Sequence, residues 1–122
     1  MKNITIRDLM AKLKDYQVSM GYNPDKMSLT ERMTTMRDYH TALAVEQAEL
    51  LQELPWKPWR ALEDQPSMNS LDRTVDEWTD CLVFLLDQAI ILGITPDRVE
   101  DSIADVLHKI LSRVDSGYNV KK

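Results

Sequence analysis

The hydrophobic positions of this 122-residue chain recur every three or four residues along most of its length, which predicts four amphipathic helices and no strand. The first predicted helix begins near Thr5, which together with Asp8 can cap its N-terminus, and it ends at Gly21. Its apolar stripe contains Ile6, Leu9, Met10, Leu13 and Met20.

The second predicted helix begins at Ser28, because Ser28 and Glu31 can form a capping box, and no helix breaker follows until Pro55. We expect one stripe of this helix to face the core: Leu29, Met33, Met36, His40, Leu43, Gln47, Leu50 and Leu54. The neighbouring stripe contains Ala42, Glu46, Glu49 and Glu53. Its carboxylates should therefore flank the core instead of pointing away from it.

The third predicted helix runs from about Ser70 to Leu92 and stops at Gly93. Before it, the segment that begins at Pro55 has two prolines in four residues, which excludes regular helix. The second half of the third helix, from Cys81 onward, is apolar on nearly every side. Such a helix must be covered all round, and a short chain has little left to cover it, so we expect a subunit interface there.

The fourth predicted helix follows Thr95, a favourable N-cap with proline at the next position, and it ends near Gly117. Its apolar face contains Val99, Ile103, Val106, Leu107, Ile110 and Val114. Together the four helices predict an all-α fold in which residues 1–122 form one domain. Its core should resemble a four-helix bundle that is completed by oligomerisation.

Composition and charge exclude several classes of protein. A formal net charge of −5 argues against binding to nucleic-acid polymers, which usually requires a basic face. Cys81 is the only cysteine, so a disulfide framework and a thiolate zinc site are excluded, and its apolar neighbours favour a buried, inert thiol. The N-terminus lacks a signal-peptide core, and the apolar run from Cys81 to Ile94 is too short to span a bilayer. We expect a cytoplasmic protein with no membrane partner.

Two acidic pairs, Glu46-x-x-Glu49 and Glu77-x-x-Asp80, carry the candidate chemistry of the second and third helices. Residues three apart share a helix face, so each pair points two carboxylates the same way. Four carboxylates brought close together would repel each other unless divalent cations lay between them. All four ligands are hard oxygens without nearby His or Cys, which favours Mg²⁺ over zinc.

The alternative explanation of these pairs is a solvated helix face stabilised by basic neighbours. The sequence between Asp38 and Trp56 contains no Lys or Arg, so salt bridges between successive turns of this helix are excluded there. We expect Asp76 and Asp87 to be ordinary surface carboxylates, and His40 to be a core residue.

Two further segments allow both a structural and a functional explanation. Trp56 and Trp59, in the proline-rich loop, form either a hydrophobic lid over the core or a platform that encloses a nucleobase, with Lys57 nearby for phosphate. Lys109 and Arg113, near the end of the fourth helix, are either favoured there by the helix dipole alone or reach phosphates at the metal site.

Taken together, these segments resemble the all-α nucleoside triphosphate pyrophosphatases, the superfamily of MazG-type enzymes and dimeric dUTPases. Its signature is an E-x-x-E helix, a loop and an E-x-x-D helix, and EQAELLQELPWKPWR resembles its first motif. The ELPWKPWR portion and the C-terminal HKILSRVDSGY are most similar to motifs of the dimeric dUTPases. The sequence departs from that branch at Pro58, Ile110 and Ser112, positions in motifs near the nucleotide, so these departures bear on base selectivity.

The resemblance implies a Mg²⁺-dependent enzyme, with Mn²⁺ able to substitute, that converts a deoxynucleoside triphosphate to the monophosphate, with dUTP favoured and dCTP a further candidate. It implies metal ligation by Glu46, Glu49, Glu77 and Asp80, with Glu49 also orienting or deprotonating the attacking water, and Glu53 as an additional ligand or supporting acid. It implies substrate binding by Trp56, Lys57, Trp59, Lys109, Arg113 and Tyr118. The expected assembly is a homodimer or homotetramer.

Two other functions stay open from the sequence. One is a MazG-type house-cleaning pyrophosphatase for other or non-standard deoxynucleotides. The other is a non-catalytic helical module whose acidic stripe docks a basic partner.

Overall fold

The computed structural model describes residues 3–66 and 71–116, and within those ranges it contains four α-helices and no strand. The helices are α1 (Ile6–Ser19), α2 (Leu29–Leu51), α3 (Leu71–Leu92) and α4 (Pro96–Asp115). The prediction of an all-α fold is confirmed. The predicted helix boundaries at Ser70 and Gly117 lie outside the described residues.

Local chemistry places the helix starts where the sequence predicts them. The Thr5 hydroxyl accepts a hydrogen bond from the Asp8 N–H, and the Asp8 carboxylate accepts one from the Thr5 N–H, so a capping box begins α1. Ser28 and Glu31 form the same arrangement at the start of α2. The Thr95 hydroxyl caps α4.

The helix ends agree with the sequence for α3 and differ for α2. α3 ends at Leu92, and Gly93 follows with a φ of 79°, a left-handed conformation that suits glycine. α2 ends at Leu51, before the expected breaker Pro55. Because the proline ring disfavours helical geometry in the residue before it, the chain leaves the helix early and closes in tight turns.

α2 and α3 pack against each other as an antiparallel hairpin, with α1 against the second half of α3. Glu53 meets Arg73 near the connecting loop, and Arg32 meets the carbonyl of Ile91 at the opposite end, so contacts run in opposite directions along the two helices. The central apolar cluster consists of Met10, Leu86 and Ile90, with Ile6, Leu9, Leu13, Ala89 and Val99 packed around it.

A buried carboxylate lies beside this cluster, where we expected a surface residue. Asp87 is 6% exposed, and its Oδ1 and backbone carbonyl accept hydrogen bonds from Gln17 Nε2 at 3.0 and 3.2 Å. Burial raises the pKa of Asp87, and the hydrogen bond from Gln17 opposes that shift. The expectation was wrong because Asp87 lies on the side of α3 that α1 covers, and the path of α1 cannot be read from the sequence of α3.

We expect Asp87→Asn to raise the melting temperature at pH 7, because the amide oxygen can still accept from Gln17 while no charge is buried. The folded-state pKa of Asp87 lies above its unfolded value, so its contribution to stability is present at low pH and is lost as the pH rises through the folded-state pKa. The advantage of the variant should therefore shrink at pH 4, as measured by thermal denaturation at both pH values. Asp87→Ala, which removes the side-chain acceptor, should instead cost about 1–3 kcal/mol. An Asn variant less stable than the parent at pH 7 would contradict the prediction.

The α2 stripe that we expected to face the core is exposed over most of its length. Leu43 is buried, whereas His40 is exposed, so the prediction of a core histidine is wrong for the single chain. α2 instead turns its neighbouring face, which includes Glu46, toward α3, and Glu53, just beyond the end of α2, also contacts α3. The large side chains of the stripe that remain exposed are Leu29, Met33 and Leu54.

α3 also carries an exposed apolar stripe, here called the outer stripe, whose members are spaced by four, three, four, three and finally seven residues. Each of its large side chains is at least 37% exposed: Leu71, Val75, Trp78, Leu82, Leu85 and Leu92. The remaining apolar surface of the second half of α3 is covered within the chain, since Cys81, Leu86, Ile90 and Ile91 are buried. We expected an interface around the whole second half of α3, but only the outer stripe is exposed enough to form one.

The chain exposes more surface than a compact monomer of its mass. Its accessible area is 9397 Å², whereas a compact monomer of 14.1 kDa exposes about 6,700 Å². α4 contributes to the difference, because every residue from Glu100 to Ser116 is exposed, including the apolar face. No described helix is by itself long and apolar enough to cross a bilayer; α3 and α4 satisfy both conditions only as a pair bent by 119°.

Candidate metal centre

The α2–α3 hairpin brings the two acidic pairs together. Carboxylate oxygens of Glu46, Glu77 and Asp80 lie within 4.8 Å of one another. Residues three apart share a helix face, and the two helices turn these faces toward each other, so the pairs meet across the hairpin. Glu46, Glu49, Glu77 and Asp80 are called the acidic quartet below.

Glu49 acts on Glu46 and Glu77 through its charge. The pKa of Glu46 is raised by burial first and by the neighbouring Glu49 carboxyl next, with smaller contributions from Asp80 and Glu77. The pKa of Glu77 is raised in the same order, by burial, by Glu49 and then by Asp80. Carboxylates held close together disfavour each other's ionisation. A bound cation would therefore stabilise the ionised form of this site.

The Cys81 thiol lies next to the quartet and is buried, as expected. Burial first, and the carboxylates of Glu46, Asp80 and Glu77 next, raise its pKa. The raised pKa favours the protonated, less reactive form of the thiol. The side chains that converge at this site are carboxylates.

The donor set fits a hard divalent cation. Glu77 Oε2 is buried and has no hydrogen-bond partner among the described residues. A buried polar atom without a partner is costly unless another group bonds to it. An oxygen-only site of half-buried and exposed carboxylates is the type that Mg²⁺ occupies with several of its own waters retained.

Calorimetric titration should show Mg²⁺ binding that weakens as the pH falls toward the raised pKa values of Glu46 and Glu77, because protons compete with the metal. Glu77→Gln should weaken Mg²⁺ binding by at least about tenfold. Asp76→Asn is the matched control, since Asp76 is exposed and lies about 100° around the helix from Glu77. An equal loss in both variants would show that overall charge, and not this site, attracts the metal.

The loop after α2 is organised by one side chain, Gln65. The Lys57 N–H donates to Gln65 Oε1, and Gln65 Nε2 donates to the Lys57 carbonyl, each at 2.8 Å. Gln65 Nε2 also donates to the carbonyl of Arg60 at 2.9 Å. The sequence pattern did not single out Gln65, because its role depends on contacts with a loop segment that has no periodicity.

The two loop tryptophans pack against each other, and one of them is strongly exposed. Their rings pack edge to face with centroids 5.7 Å apart, and the Lys57 ammonium lies 5.6 Å from the centre of the Trp56 ring. Trp59 is 73% exposed, so it does not form a lid over the core of the chain. The exposed Trp59 ring, which packs against Trp56, offers a stacking surface.

The predicted substrate residues of the C-terminal segment lie only partly within the described residues. Lys109 and Arg113 lie in the exposed part of α4. α4 contacts α1 through its first turn, where Asp97 pairs with Arg7. Tyr118 lies outside the described residues.

A basic residue that the sequence did not single out contacts the acidic stripe of α2. Arg73 Nε lies 2.8 Å from Glu53 Oε1, and Glu53 is buried. We excluded salt bridges here by inspecting neighbours along one helix. The pair instead forms across the hairpin, between residues twenty apart in sequence, and only the tertiary structure reveals it.

A cavity of about 290 Å³ opens one helical turn beyond the quartet, next to Ala42 on α2 and Phe84 on α3. Four aromatic rings line it: Tyr16, Tyr22, Tyr39 and Phe84. Burial first, and the Asp87 carboxylate next, raise the pKa of Tyr39 to about 12, so its hydroxyl keeps its proton at neutral pH. The cavity therefore combines flat apolar walls with a hydrogen-bond donor.

Comparison with known proteins gives one match. A family model described as dUTPase matches residues 10–119, a range that contains α2, α3, α4 and the whole quartet. No curated protein and no solved structure matches the sequence.

Proposed function

Because the chain belongs to the all-α dUTPase family, we propose that it is a cytoplasmic, Mg²⁺-dependent pyrophosphohydrolase that converts dUTP, and also dCTP, to the monophosphate. The family match makes the chain a nucleoside triphosphate pyrophosphatase. One observation carries the metal dependence: three carboxylates lie within 4.8 Å of one another, and Glu77 Oε2 is buried without a partner among the described residues.

In this proposal the quartet residues Glu46, Glu49, Glu77 and Asp80 hold Mg²⁺, which Mn²⁺ can replace. The bound metal would supply polarisation of phosphate oxygens and a water of lowered pKa. Glu49 is the exposed member of the α2 pair, whereas Glu46 is half-buried. A carboxylate oxygen of Glu49 can therefore reach a water that attacks phosphorus, orient it and accept its proton.

The substrate would extend from the quartet along the loop that follows α2. Lys57 is suited to bind phosphate, because the two hydrogen bonds to Gln65 fix its backbone. Trp56 and Trp59 enclose the base or sugar, and Tyr118 contributes to the same enclosure. Lys109 and Arg113 bind phosphate as well; because α4 is exposed from Glu100 to Ser116, we propose that assembly brings these two residues to the substrate.

We also propose that the enzyme is a homodimer or homotetramer. The members of the outer stripe of α3 are spaced by three, four or seven residues, the pattern of helices that pack side by side in bundles. The chain exposes more surface than a compact monomer of its mass, and an interface formed by the outer stripe would bury part of that surface. Two hairpins set face to face would complete a four-helix core.

The test of the function is a turnover assay with a panel of deoxynucleoside triphosphates in the presence and absence of Mg²⁺. We expect Mg²⁺-dependent release of pyrophosphate, with dUTP the fastest substrate. Faster turnover of purine or non-standard nucleotides would instead favour the MazG-type house-cleaning activity. A protein that neither turns over nor binds any nucleotide would be a docking module, and the proposal would fail.

Trp59→Ala should raise KM for dUTP about tenfold with little change in kcat, because stacking on an aromatic ring stabilises a bound base by about 1–3 kcal/mol. Leu62→Ala is the matched control, since Leu62 is an equally exposed apolar residue of the same loop. Steady-state kinetics of both variants measure the effect. A KM that does not change in Trp59→Ala would exclude Trp59 from the base site.

A further inference from the structure

We propose that a second ligand site lies at the junction of the four helices and binds a small organic phosphate, with Arg32 on the phosphate group and an apolar wall around the rest of the molecule. The site is a cavity of about 370 Å³, here called the junction cavity, to which α1, α2, α3, α4 and the 3₁₀ turn Pro24–Lys26 all contribute. It is distinct from the proposed function, since among the described residues its lining has no member in common with those proposed to bind metal or nucleotide.

The wall of the junction cavity combines apolar and cationic side chains. Its buried or half-buried apolar residues include Met10, Pro24, Ile90 and Ile94. Its basic residues are Arg7, Lys14 and Arg32. The volume falls within the range of small-molecule sites, about 300–1,000 Å³. Such a wall fits a ligand that has an apolar body and a negatively charged group.

Arg32 carries a positive charge that no carboxylate among the described residues offsets. One terminal nitrogen of its half-buried guanidinium donates to the Ile91 carbonyl at 2.9 Å, and the other donates to the Pro24 carbonyl at 2.6 Å. Both acceptors are neutral, and arginine has five N–H donors. An oxyanion that bonds to the remaining donors would offset the charge of this partly buried cation.

The position of the Arg32 guanidinium is fixed before a ligand binds. Its two carbonyl acceptors belong to different segments, the end of α3 and the turn after α1. Gly93 lies against the same group, since a Cβ at that position would be 3.3 Å from Arg32 Nη1. A long side chain that is already held in one conformation loses less entropy when it binds a ligand.

The other two basic residues are paired with exposed carboxylates. Arg7 pairs with Asp97 and Lys14 with Asp25, and the two aspartate side chains are 77% and 69% exposed. Exposed ion pairs contribute little to stability, so a ligand can rearrange them at small cost. With both pairs counted as neutral, the cavity keeps the single positive charge of Arg32, in a chain whose formal net charge is −5.

The number of cations favours a phosphate over a carboxylate. A phosphate monoester carries a charge of about −1.5 to −2 at pH 7 and presents three acceptor oxygens. A carboxylate carries one charge and presents two oxygens. A phosphate group therefore has enough acceptors to bond to Arg32 and also to replace the exposed aspartate partner of a neighbouring cation.

Calorimetric titration of the full chain in metal-free buffer tests the site with phenyl phosphate, inorganic phosphate and benzoate. Without a divalent ion the four quartet carboxylates repel phosphate, so binding there does not interfere. We expect phenyl phosphate to bind once per chain. Inorganic phosphate, which lacks the apolar body, and benzoate, which lacks the second charge, should each bind at least about tenfold more weakly.

Arg32→Ala should weaken phenyl phosphate binding by about 10- to 100-fold, the range expected for lost hydrogen bonds to a charged group. Arg37→Ala is the matched control, because Arg37 is an exposed arginine of α2 that pairs with Asp38 and does not line the cavity. Circular dichroism verifies that both variants are folded, since Arg32 also joins two backbone segments.

Lys14→Ala provides a second test that leaves the Arg32 contacts intact. It should weaken phenyl phosphate binding by about fivefold, the contribution of one unit charge at roughly 4 Å in water. Lys12→Ala makes the same change of charge on α1 outside the cavity and should have no effect. Trp59→Ala should also leave phenyl phosphate binding unchanged, which separates the junction cavity from the tryptophan loop.

Several results would overturn the inference. Absence of phenyl phosphate binding at millimolar concentration would exclude the site, and benzoate binding as tight as phenyl phosphate would refute the ligand class. Losses in Lys12→Ala or Trp59→Ala equal to those of the cavity variants would place the ligand elsewhere, as would unchanged binding in folded Arg32→Ala. None of these results bears on the proposed function, which fails if the unmodified chain does not turn over nucleotides with Mg²⁺.

Discussion

Glu49→Gln should lower kcat for dUTP by a factor of about 100 to 10,000, the usual contribution of a general base. The substitution keeps the size of the side chain but removes its charge and its ability to accept a proton. Glu49 is exposed on α2, so the change opens no cavity and the helix should remain intact. Steady-state kinetics with Mg²⁺, together with circular dichroism to verify folding, measure the effect.

Glu49→Gln should also change the pH dependence of Mg²⁺ binding, which tests whether Glu49 acts on its neighbours through its charge. The Glu49 carboxyl is the neighbour that most raises the pKa values of Glu46 and Glu77, so its removal should lower both toward the ordinary range. The pH dependence of Mg²⁺ binding should then shift to lower pH. Glu100→Gln, at an exposed position in α4, should change neither kcat nor this pH dependence. Turnover of Glu49→Gln at the parent rate would refute the assignment of this residue.

Leu85→Lys should convert the oligomer to a monomer and abolish measurable turnover at micromolar concentration. Leu85 lies in the middle of the outer stripe and is exposed in the single chain, so lysine is tolerated by the isolated fold. In a packed interface the same ammonium group would be buried without a partner, which costs several kcal/mol. Activity should fall with assembly, because the proposed function assigns the positioning of Lys109 and Arg113 to a neighbouring subunit.

Sedimentation velocity at several concentrations tests this prediction. Val18→Lys is the matched control: Val18 is a similarly exposed apolar residue on α1, outside the stripes of α2 and α3, and its variant should remain oligomeric. If Leu85→Lys remains oligomeric, the outer stripe is not the interface. If the unmodified chain is a stable monomer, the assembly itself is refuted.

The elements of this fold were predictable because their determinants are local. Thr5 with Asp8 and Ser28 with Glu31 satisfy helix N-termini within four residues of sequence, and Gly93 supplies the left-handed conformation that ends α3. The acidic pairs were equally accessible, since an i,i+3 spacing fixes a shared face as soon as the segment is helical. The early end of α2 was not predicted, because the two or three residues before a proline can adopt either a helical or a turn conformation.

The misjudged positions share one cause: each depends on a segment distant in sequence. His40 and the exposed α2 stripe have the periodicity of a core face, and periodicity identifies an apolar face without identifying what covers it. Asp87 is buried because α1 crosses it and Gln17 reaches it. Gln65 organises the loop through hydrogen bonds that no sequence periodicity predicts.

The sequence by itself determined that this protein is all-α, that it carries four carboxylates in two helical pairs, and that it resembles the dUTPase family, because helix faces and motifs are set by near neighbours. Only the tertiary structure decided which face of α2 meets α3, and hence that Glu46, Glu77 and Asp80 converge within 4.8 Å. It also paired Arg73 with Glu53 across the hairpin. Both results depend on the register of one helix against another, which is fixed by packing between distant segments.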